Sequence, residues 1–203
     1  MNILLVGPIK HNIDISELKF DKVIAIDNGV KFALDLNLHI DLAVGDFDSL
    51  TDKTLLKDIK KVITLNKEKD DTDFEYVLKL LNKEQNIENI YGIGLLYGNR
   101  LDHLFLNILL LYKYKNLNIE LISNKCFIKL LNSGKHLLNQ GKYKYISFFS
   151  LKQTTITLDN GFKYKVNNEI ISMDELKYIS NEFVDNNASL SIDDDIIVMY
   201  SSD

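Results

Sequence analysis

Residues 40–49 read Ile-Asp-Leu-Ala-Val-Gly-Asp-Phe-Asp-Ser, a short apolar run that passes directly into a loop with two carboxylates. The same pattern, an apolar run and then a longer amphipathic stretch, recurs through residues 1–123. Short apolar runs of this kind are typical of strands that are buried on both faces, as in a parallel sheet. The predicted strands are Ile3–Val6, Val23–Ile26, Leu42–Val44, Val62–Leu65, Ile90–Ile93 and Ile119–Ile122.

The stretches between these runs have the spacing of amphipathic helices. In one of them, Phe74, Val77, Leu78 and Leu81 recur at intervals of three and four residues, which places them on one helix face. Strands and helices that alternate predict an α/β domain with a doubly wound, mainly parallel sheet over residues 1–123. The predicted helices are Asn28–Leu36, Thr51–Lys60, Asp73–Asn82 and Leu101–Tyr114.

Residues 124–203 have a different pattern. Short segments rich in strand-forming residues are separated by glycines and by pairs of asparagines. This spacing predicts a second, small all-β domain that resembles a sandwich. The predicted strands are Cys126–Leu131, Tyr145–Ser150, Thr154–Leu158, Phe162–Val166, Glu169–Ile171, Ser189–Ile192 and Ile196–Tyr200.

The composition argues against several classes of protein. The 203 residues carry 24 Lys and Arg against 29 Asp and Glu, a net charge of −5. The sequence has no basic stripe of the kind that binds nucleic acid. No apolar run reaches the roughly 18–20 residues that span a bilayer, and the N-terminus shows no secretory signal. The single cysteine, Cys126, cannot form an internal disulfide. We therefore expect a cytoplasmic protein with no nucleic acid or membrane partner.

Two acidic clusters follow two of the predicted strands. Asp46 and Asp48 come directly after one strand, and Asp70, Asp71 and Asp73 come after the next. In extended backbone, two residues that lie two apart point the same way, and ligands of open α/β sheets bind beyond the carboxyl ends of the strands. Turn formation and helix capping explain only some of these carboxylates. Because hard oxygen ligands suit Mg²⁺, the two clusters predict a metal site.

A third loop adds glycines and positive charge. Glycines are frequent in residues 92–98, and the segment 99–103, Asn-Arg-Leu-Asp-His, opens the next predicted helix. Glycines let the backbone approach a ligand, and a helix N-terminus offers N–H donors to an anion. Arg100 can bind phosphate through two hydrogen bonds. The alternative is a local surface pair of Arg100 with Asp102 and a core position for His103. The three loops together predict a site for Mg²⁺ and a polyphosphate.

With these motifs in this order, the chain resembles the thiamine pyrophosphokinase family. The segments that carry the resemblance are 25–29, 41–49, 70–73 and 100–103 in the first half, and 161–164 and 180–182 in the second. The last two are similar to the motifs that line the thiamine pocket of the family. The resemblance implies an α/β domain for the nucleotide and Mg²⁺, then a β-sandwich for thiamine binding and dimerisation, in a homodimer.

The resemblance also implies a reaction in which ATP, as co-substrate, transfers its pyrophosphoryl group to the hydroxyl of thiamine and leaves as AMP. The implied catalytic residues are Asp46, Asp48, Asp71, Asp73 and Arg100, of which the four aspartates are the implied ligands of Mg²⁺. The implied nucleotide contacts are Asp27, Gly29, Asp48, Arg100, Asp102 and His103. The implied thiamine contacts are Phe162, Tyr164, Ser180 and Asn181.

Two other functions remain open on the sequence. A metal-dependent phosphoesterase could use the same acidic clusters, but several histidine ligands are then expected, and only His103 lies in a suitable loop. A sensor that binds thiamine or a nucleotide without turnover is the third possibility. The paired carboxylates disfavour it, because a protein that only binds does not need them.

Overall fold

The computed structural model describes residues 1–96, 98–175 and 177–203. It divides into two compact units, Met1–Asn124 and Lys125–Asp203, each with its own sheet structure and hydrophobic core. Tyr97, which belongs to the predicted glycine-rich phosphate loop, lies outside the described residues.

A parallel sheet forms the centre of the first unit. Within the described residues its strands are β1 (Asn2–Val6), β2 (Lys22–Ile26), β3 (Leu42–Gly45), β4 (Val62–Thr64), β5 (Asn89–Ile93) and β6 (Ile119–Ile122). Their spatial order is β6-β5-β1-β2-β3-β4, and every adjacent pair is parallel. The chain builds outward from β1 on one side and then returns to add β5 and β6 on the other. This reversal is the topological switch point, where ligands of such sheets usually bind.

The helices of this unit are α1 (Gly29–Asp35), α2 (Asp73–Leu81) and α3 (Leu101–Lys113). Thr72 caps α2, because its hydroxyl accepts a hydrogen bond from the Glu75 backbone N–H at 3.2 Å. The apolar face predicted for α2 is buried, and α2 packs against α3. None of these helices, in the described part of the chain, has the length and apolar character of a membrane span.

The predicted helix at Thr51–Lys60 is wrong. The chain forms only a short 3₁₀ turn there, Lys53–Leu56, in which no residue is buried. Helices in proteins gain most of their stability from burying an apolar face. A stretch that buries none has little reason to extend beyond one turn, and Asp52 ends the preceding loop by accepting a hydrogen bond from the Thr54 N–H at 2.9 Å.

The second unit contains two antiparallel sheets, which confirms the predicted β domain. Its strands are β7 (Cys126–Leu131), β8 (Gly134–Asn139), β9 (Tyr145–Phe149), β10 (Thr154–Leu158), β11 (Val166–Ile171), β12 (Asn181–Glu182), β13 (Asn187–Ile192) and β14 (Ile196–Ser201). The sheet orders are β12-β9-β14-β7 and β11-β10-β13-β8. Residues from both sheets, among them Ile156, Leu190 and Val198, share one hydrophobic core.

The strand predictions differ from this structure in three places, one of which is the two-residue strand β12, which was not predicted. The predicted strand Phe162–Val166 is wrong, since only Phe162 is bridged, to Phe183, and β11 begins at Val166. The turn before it is tight, because a Cβ on Gly161 would lie 2.1 Å from the Asn187 carbonyl oxygen. The strand β8 was not predicted. Of its residues only Leu138 is buried, so its sequence lacks a clear apolar alternation, and it is formed by pairing with β13.

Candidate active site

A cavity of about 540 Å³ lies at the carboxyl ends of the parallel strands of the first unit. The loops that follow β1, β2, β3, β4 and β5 all contribute to its lining, so it occupies the switch point of the sheet. The predicted site residues that line it are Asp27, Asp46, Asp71, Asp73, Arg100 and His103. The fold therefore brings residues from four separate loops of the sequence to one place.

Gly29, Asp48 and Asp102 do not belong to this lining in the described part of the chain. Gly29 has a packing role, since a Cβ on it would lie 2.0 Å from the carbonyl oxygen of Val6. Only glycine lets α1 begin so close to β1. This steric requirement accounts for the glycine without any ligand.

The loop after β3 separates its two aspartates. Phe47 adopts a left-handed backbone conformation with φ 55°, and its side chain is 2 % exposed. The backbone is therefore not extended, and the expectation that Asp46 and Asp48 point the same way is wrong. Asp46 lines the cavity, where one of its carboxylate oxygens accepts a hydrogen bond from the Asp48 N–H at 3.0 Å. Asp48 is exposed and forms an ion pair with Lys67.

Asp27 has the most unusual carboxylate of the cavity. One oxygen accepts a hydrogen bond from the Ser49 hydroxyl at 2.7 Å. The other, Oδ1, is buried and has no hydrogen-bond partner among the described residues. Burial is the main cause of the raised pKa of Asp27, and the negative charges of Asp46 and Asp73 raise it further. The hydrogen bond from Ser49 lowers this pKa, but by less than burial raises it.

Two other carboxylates of the cavity, those of Asp71 and Asp73, are paired with lysines. Asp73, in the first turn of α2, forms an ion pair with Lys69. Asp71 accepts two hydrogen bonds from the ammonium of Lys79, each of 2.6 Å, and this contact raises the pKa of Lys79. Lys69 itself lines the cavity, as does Lys67, whereas Lys79 is not part of the described lining.

The basic side of the cavity comes from the start of α3. Arg100 donates from Nε and Nη2 to the carboxylate of Asp102, at 2.9 and 2.6 Å, so the local surface pair does form. This pairing lowers the pKa of Asp102 to about 2. His103 is exposed and lines the cavity, so it is not a core residue. One turn later, the buried amide of Asn107 donates to the carbonyl of Leu95 at 2.9 Å and ties α3 to the loop after β5.

The chemistry of these donors fits a hard divalent cation. Asp27 offers a buried oxygen without a partner, and the carboxylates of Asp46 and Asp73 lie close enough to act on its pKa. Such oxygens are the ligands that Mg²⁺ prefers. As the side chains stand, no three His, Cys or acidic groups of the described residues converge closely enough to hold a metal. Two of the carboxylates, those of Asp71 and Asp73, are paired with lysines instead.

Residues 162–164 and 180–181 of the second unit form a different arrangement. Tyr164 is 58 % exposed, and the buried side-chain amide of Asn181 holds its backbone. The Asn181 side-chain oxygen accepts a hydrogen bond from the Tyr164 N–H at 3.0 Å, and the Asn181 NH₂ group donates to the Tyr164 carbonyl at 2.8 Å. Ser180 is exposed, with φ 54°, and its N–H donates to the hydroxyl of Ser147. Phe162 is 1 % exposed and packs in the core, so the structure brings only Tyr164, Ser180 and Asn181 together near the surface.

Several residues of the cavity were not predicted from the sequence. These are Lys67 and Lys69 of the lining. Ser49, which donates a hydrogen bond to Asp27 from outside the described lining, was not predicted either. The lysines alternate with polar and acidic residues in the segment 66–73, between a strand and a helix. Cations in such a position were the signal that could have been used.

His11, in the loop after β1, provides a pH-dependent prediction. Both ring nitrogens are buried without a hydrogen-bond partner in the described part of the chain, and the ring meets Phe32 edge-on. Burial lowers the pKa of His11. Stability from the neutral ring is then present above about pH 6.5 and is lost as the pH falls through the lower pKa of the folded state. We expect the unfolding free energy to fall less steeply on acidification in His11→Phe than in the parent, as measured by urea titration. Parallel curves would contradict this role.

Comparison with known protein families gives a consistent result. The family model described as thiamin pyrophosphokinase, catalytic domain, matches residues 17–123. The model described as thiamin pyrophosphokinase, vitamin B1 binding domain, matches residues 135–197. The first match covers the parallel-sheet unit from the loop before β2 to the end of β6, and the second covers most of the β unit.

Individual relatives agree with these matches. The thiamine pyrophosphokinase of Bacillus subtilis (strain 168) is 35 % identical over 188 residues, which cover 88 % of this chain and 86 % of that protein. The crystal structure of the thiamine pyrophosphokinase from Bacillus subtilis superposes with a TM-score of 0.88 at 28 % identity over all of both chains. That of the thiamin pyrophosphokinase from Geobacillus thermodenitrificans gives 0.87 at 29 % identity over all of this chain and 98 % of the other. With both of its units matched in this way, the chain belongs to the thiamine pyrophosphokinase family.

Proposed function

We propose that this protein transfers the pyrophosphoryl group of ATP to the hydroxyl of thiamine, giving thiamine diphosphate and AMP. The observation that carries this proposal is the cavity at the switch point, where Asp27, Asp46, Asp73 and Arg100 meet in a chain of this family. Transfer of a phosphoryl-type group depends mainly on positioning and on neutralising charge. A cavity with carboxylates on one side and a guanidinium on the other offers both.

We assign the triphosphate of ATP and Mg²⁺ to this cavity. Asp46, Asp71 and Asp73 would hold the ion from the cavity wall, and Asp48 would join them on releasing Lys67. When bound, Mg²⁺ would supply neutralisation of phosphate charge for the transfer. Arg100 binds phosphate oxygens in place of Asp102, and the His103 side chain and the first N–H groups of α3 face the same anion.

We assign thiamine to the surface formed by Tyr164, Ser180 and Asn181. Thiamine carries a positive charge, and an exposed tyrosine ring attracts cations through its face. The ammonium of Lys163 lies 5.4 Å from the centre of the Tyr164 ring, which supports an attraction of this ring for cations. Phe162 supports the loop from the core and is not assigned a contact. We also infer a homodimer, supported by exposed apolar side chains such as Leu137 and Val184, and a cytoplasmic location, where ATP is available.

Asn181 should act as a positioning residue for Tyr164. The change Asn181→Ala removes two hydrogen bonds to the Tyr164 backbone, each worth about 1 kcal/mol. We expect the KM for thiamine to rise about tenfold with a smaller change in kcat, because the ring loses its fixed place and the phosphate cavity is untouched. Steady-state kinetics with thiamine varied at saturating ATP measure this split. An unchanged KM would remove Asn181 from the thiamine site.

The function is tested by measuring AMP formation by the purified protein with ATP and Mg²⁺, with and without thiamine. The expected result is AMP that depends on thiamine, with thiamine diphosphate in equal amount. ATP breakdown that is indifferent to thiamine would instead support a phosphoesterase. Saturable thiamine binding by calorimetry without any AMP would indicate a sensor.

A further inference from the structure

The β4–α2 loop places two lysines inside a cavity that is otherwise rich in carboxylates. Lys67 and Lys69 both line it, and each forms an ion pair with a proposed metal ligand, Asp48 and Asp73 respectively. The two pairs differ in exposure. The Lys67 side chain is 70 % exposed, whereas the side chains of Lys69 and Asp73 are both 21 % exposed. Of these two lysines, Lys69 is therefore the one whose positive charge is stabilised less by water and more by its carboxylate partner.

A divalent cation bound to Asp73 would compete with the ion pair between Lys69 and Asp73. Two cations in contact with one carboxylate repel each other, so the metal and the ammonium compete for the same oxygens. If the metal binds Asp73, the ammonium of Lys69, whose side chain is only 21 % exposed, is left without its anion, which is costly. Water can replace the partner of Lys67, which is largely exposed, but it reaches Lys69 much less.

The triphosphate would supply the missing anion. Arg100, which also lines the cavity, is itself paired with Asp102 and lies on the α3 side. Lys69 lies on the α2 side, next to Asp70 and close to Asp73. A nucleotide that brings its own metal would thus present a new anion to Lys69 at the moment when the metal removes the old one.

We propose that Lys69 is an exchangeable counter-ion, which neutralises Asp73 in the metal-free protein and binds the triphosphate when Mg²⁺ and ATP are bound. This inference rests on the proposed function, because it needs a metal–nucleotide ligand in this cavity. It assigns a phosphate-binding role to a residue outside the acidic and Arg100 motifs. It also accounts for the finding that, among the described residues, no three metal-ligand groups converge while the lysine pairs are in place.

The exchange predicts effects of opposite sign in Lys69→Met. This change removes the ammonium and keeps a chain of similar length. Binding of MgCl₂ alone should become several-fold tighter, since Asp73 no longer has a competing cation. Binding of ATP at saturating Mg²⁺, without thiamine, should become about 10- to 100-fold weaker, as expected for one lost hydrogen bond between charged groups. Isothermal titration calorimetry measures both, and neither requires turnover.

Two further variants act as matched controls. Lys79→Met also frees a carboxylate of the cavity, Asp71, but Lys79 does not line the cavity in the described residues. The Lys79→Met variant should bind Mg²⁺ more tightly than the parent, and its affinity for ATP should stay within about twofold of the parent value. Lys69→Arg keeps a cation and should recover most of the ATP affinity. A thermal melt of each variant checks that the fold is retained.

The other outcomes each overturn the proposal. If Lys69→Met weakens both Mg²⁺ and ATP, Lys69 only holds the loop in place. If the variant binds Mg²⁺ more tightly but its affinity for ATP is unchanged, the lysine competes with the metal without binding phosphate. If neither affinity changes, the ion pair has no part in binding. These results would leave thiamine-dependent AMP formation by the parent protein intact, whereas a parent that binds no Mg²⁺ and ATP at all would remove the proposed function as well.

Discussion

Asp73→Asn is expected to lower kcat by about a thousandfold while the protein stays folded. Asp73 lines the cavity in the first turn of α2, and asparagine keeps its shape and removes only its charge. A metal contributes several kcal/mol of charge stabilisation in the transition state. About 4 kcal/mol corresponds to a thousandfold, at 1.36 kcal/mol for each factor of ten. Asp46→Asn should lower kcat by the same order. The loop should stay folded, because asparagine preserves the oxygen that accepts a hydrogen bond from the Asp48 N–H.

The measurement is steady-state kinetics at saturating ATP and thiamine, with unfolding followed by circular dichroism. Asp52→Asn is the matched control, since Asp52 is also a loop carboxylate that caps a short helix but lies outside the described lining of the cavity. It should keep kcat within about twofold. Turnover close to that of the parent in both cavity variants would refute the assignment of these aspartates to the metal.

Phe162→Ala is expected to destabilise the protein by about 3–5 kcal/mol, the usual cost of removing a buried phenylalanine. Phe162 packs at 5.7 Å from the ring of Phe148 and at 5.5 Å from that of Phe183, centre to centre. The cavity left by alanine would lie between the two sheets of the second unit, in the middle of their shared core. Urea unfolding at equilibrium measures the loss.

A pair of variants separates this packing role from a thiamine contact. Phe162→Leu fills most of the space and should leave the KM for thiamine within about twofold. Tyr164→Ala removes an exposed ring, so it should change stability by about 0.5 kcal/mol or less and raise the KM for thiamine at least tenfold. If Phe162→Leu were stable and yet raised the KM as much as Tyr164→Ala does, Phe162 would belong to the thiamine site after all.

The sequence predicts the first unit well because its strands are short apolar runs between amphipathic helices. The strand Ile119–Ile122 is found with the same bounds, and α2 and α3 each end one residue before the predicted end. The sequence predicts the second unit less well, because some of its loops and strands are stabilised by residues far away in the chain. The loop at Tyr164 is held by the side chain of Asn181, 17 residues further on, and β8 exists because β13 pairs with it.

The candidate site shows the same limit. Composition and order indicate which carboxylates follow which strands, and Asp46, Asp71 and Asp73 line the cavity, whereas Asp48 does not belong to its described lining. The lysines that pair with Asp48, Asp71 and Asp73 depend on side-chain positions that only the fold determines. Lys79 reaches Asp71 across two turns of α2, and Lys67 reaches Asp48 from the neighbouring loop.

The left-handed residue after β3 matters to anyone who wishes to transplant this loop into another scaffold. Copying the aspartates at positions 46 and 48 onto a new strand end would place both charges on one side of a regular backbone. The separation seen here depends on Phe47, whose buried ring stabilises a conformation that non-glycine residues rarely adopt. A graft would have to include the aromatic anchor and the apolar socket beneath it, and only then the acidic pair.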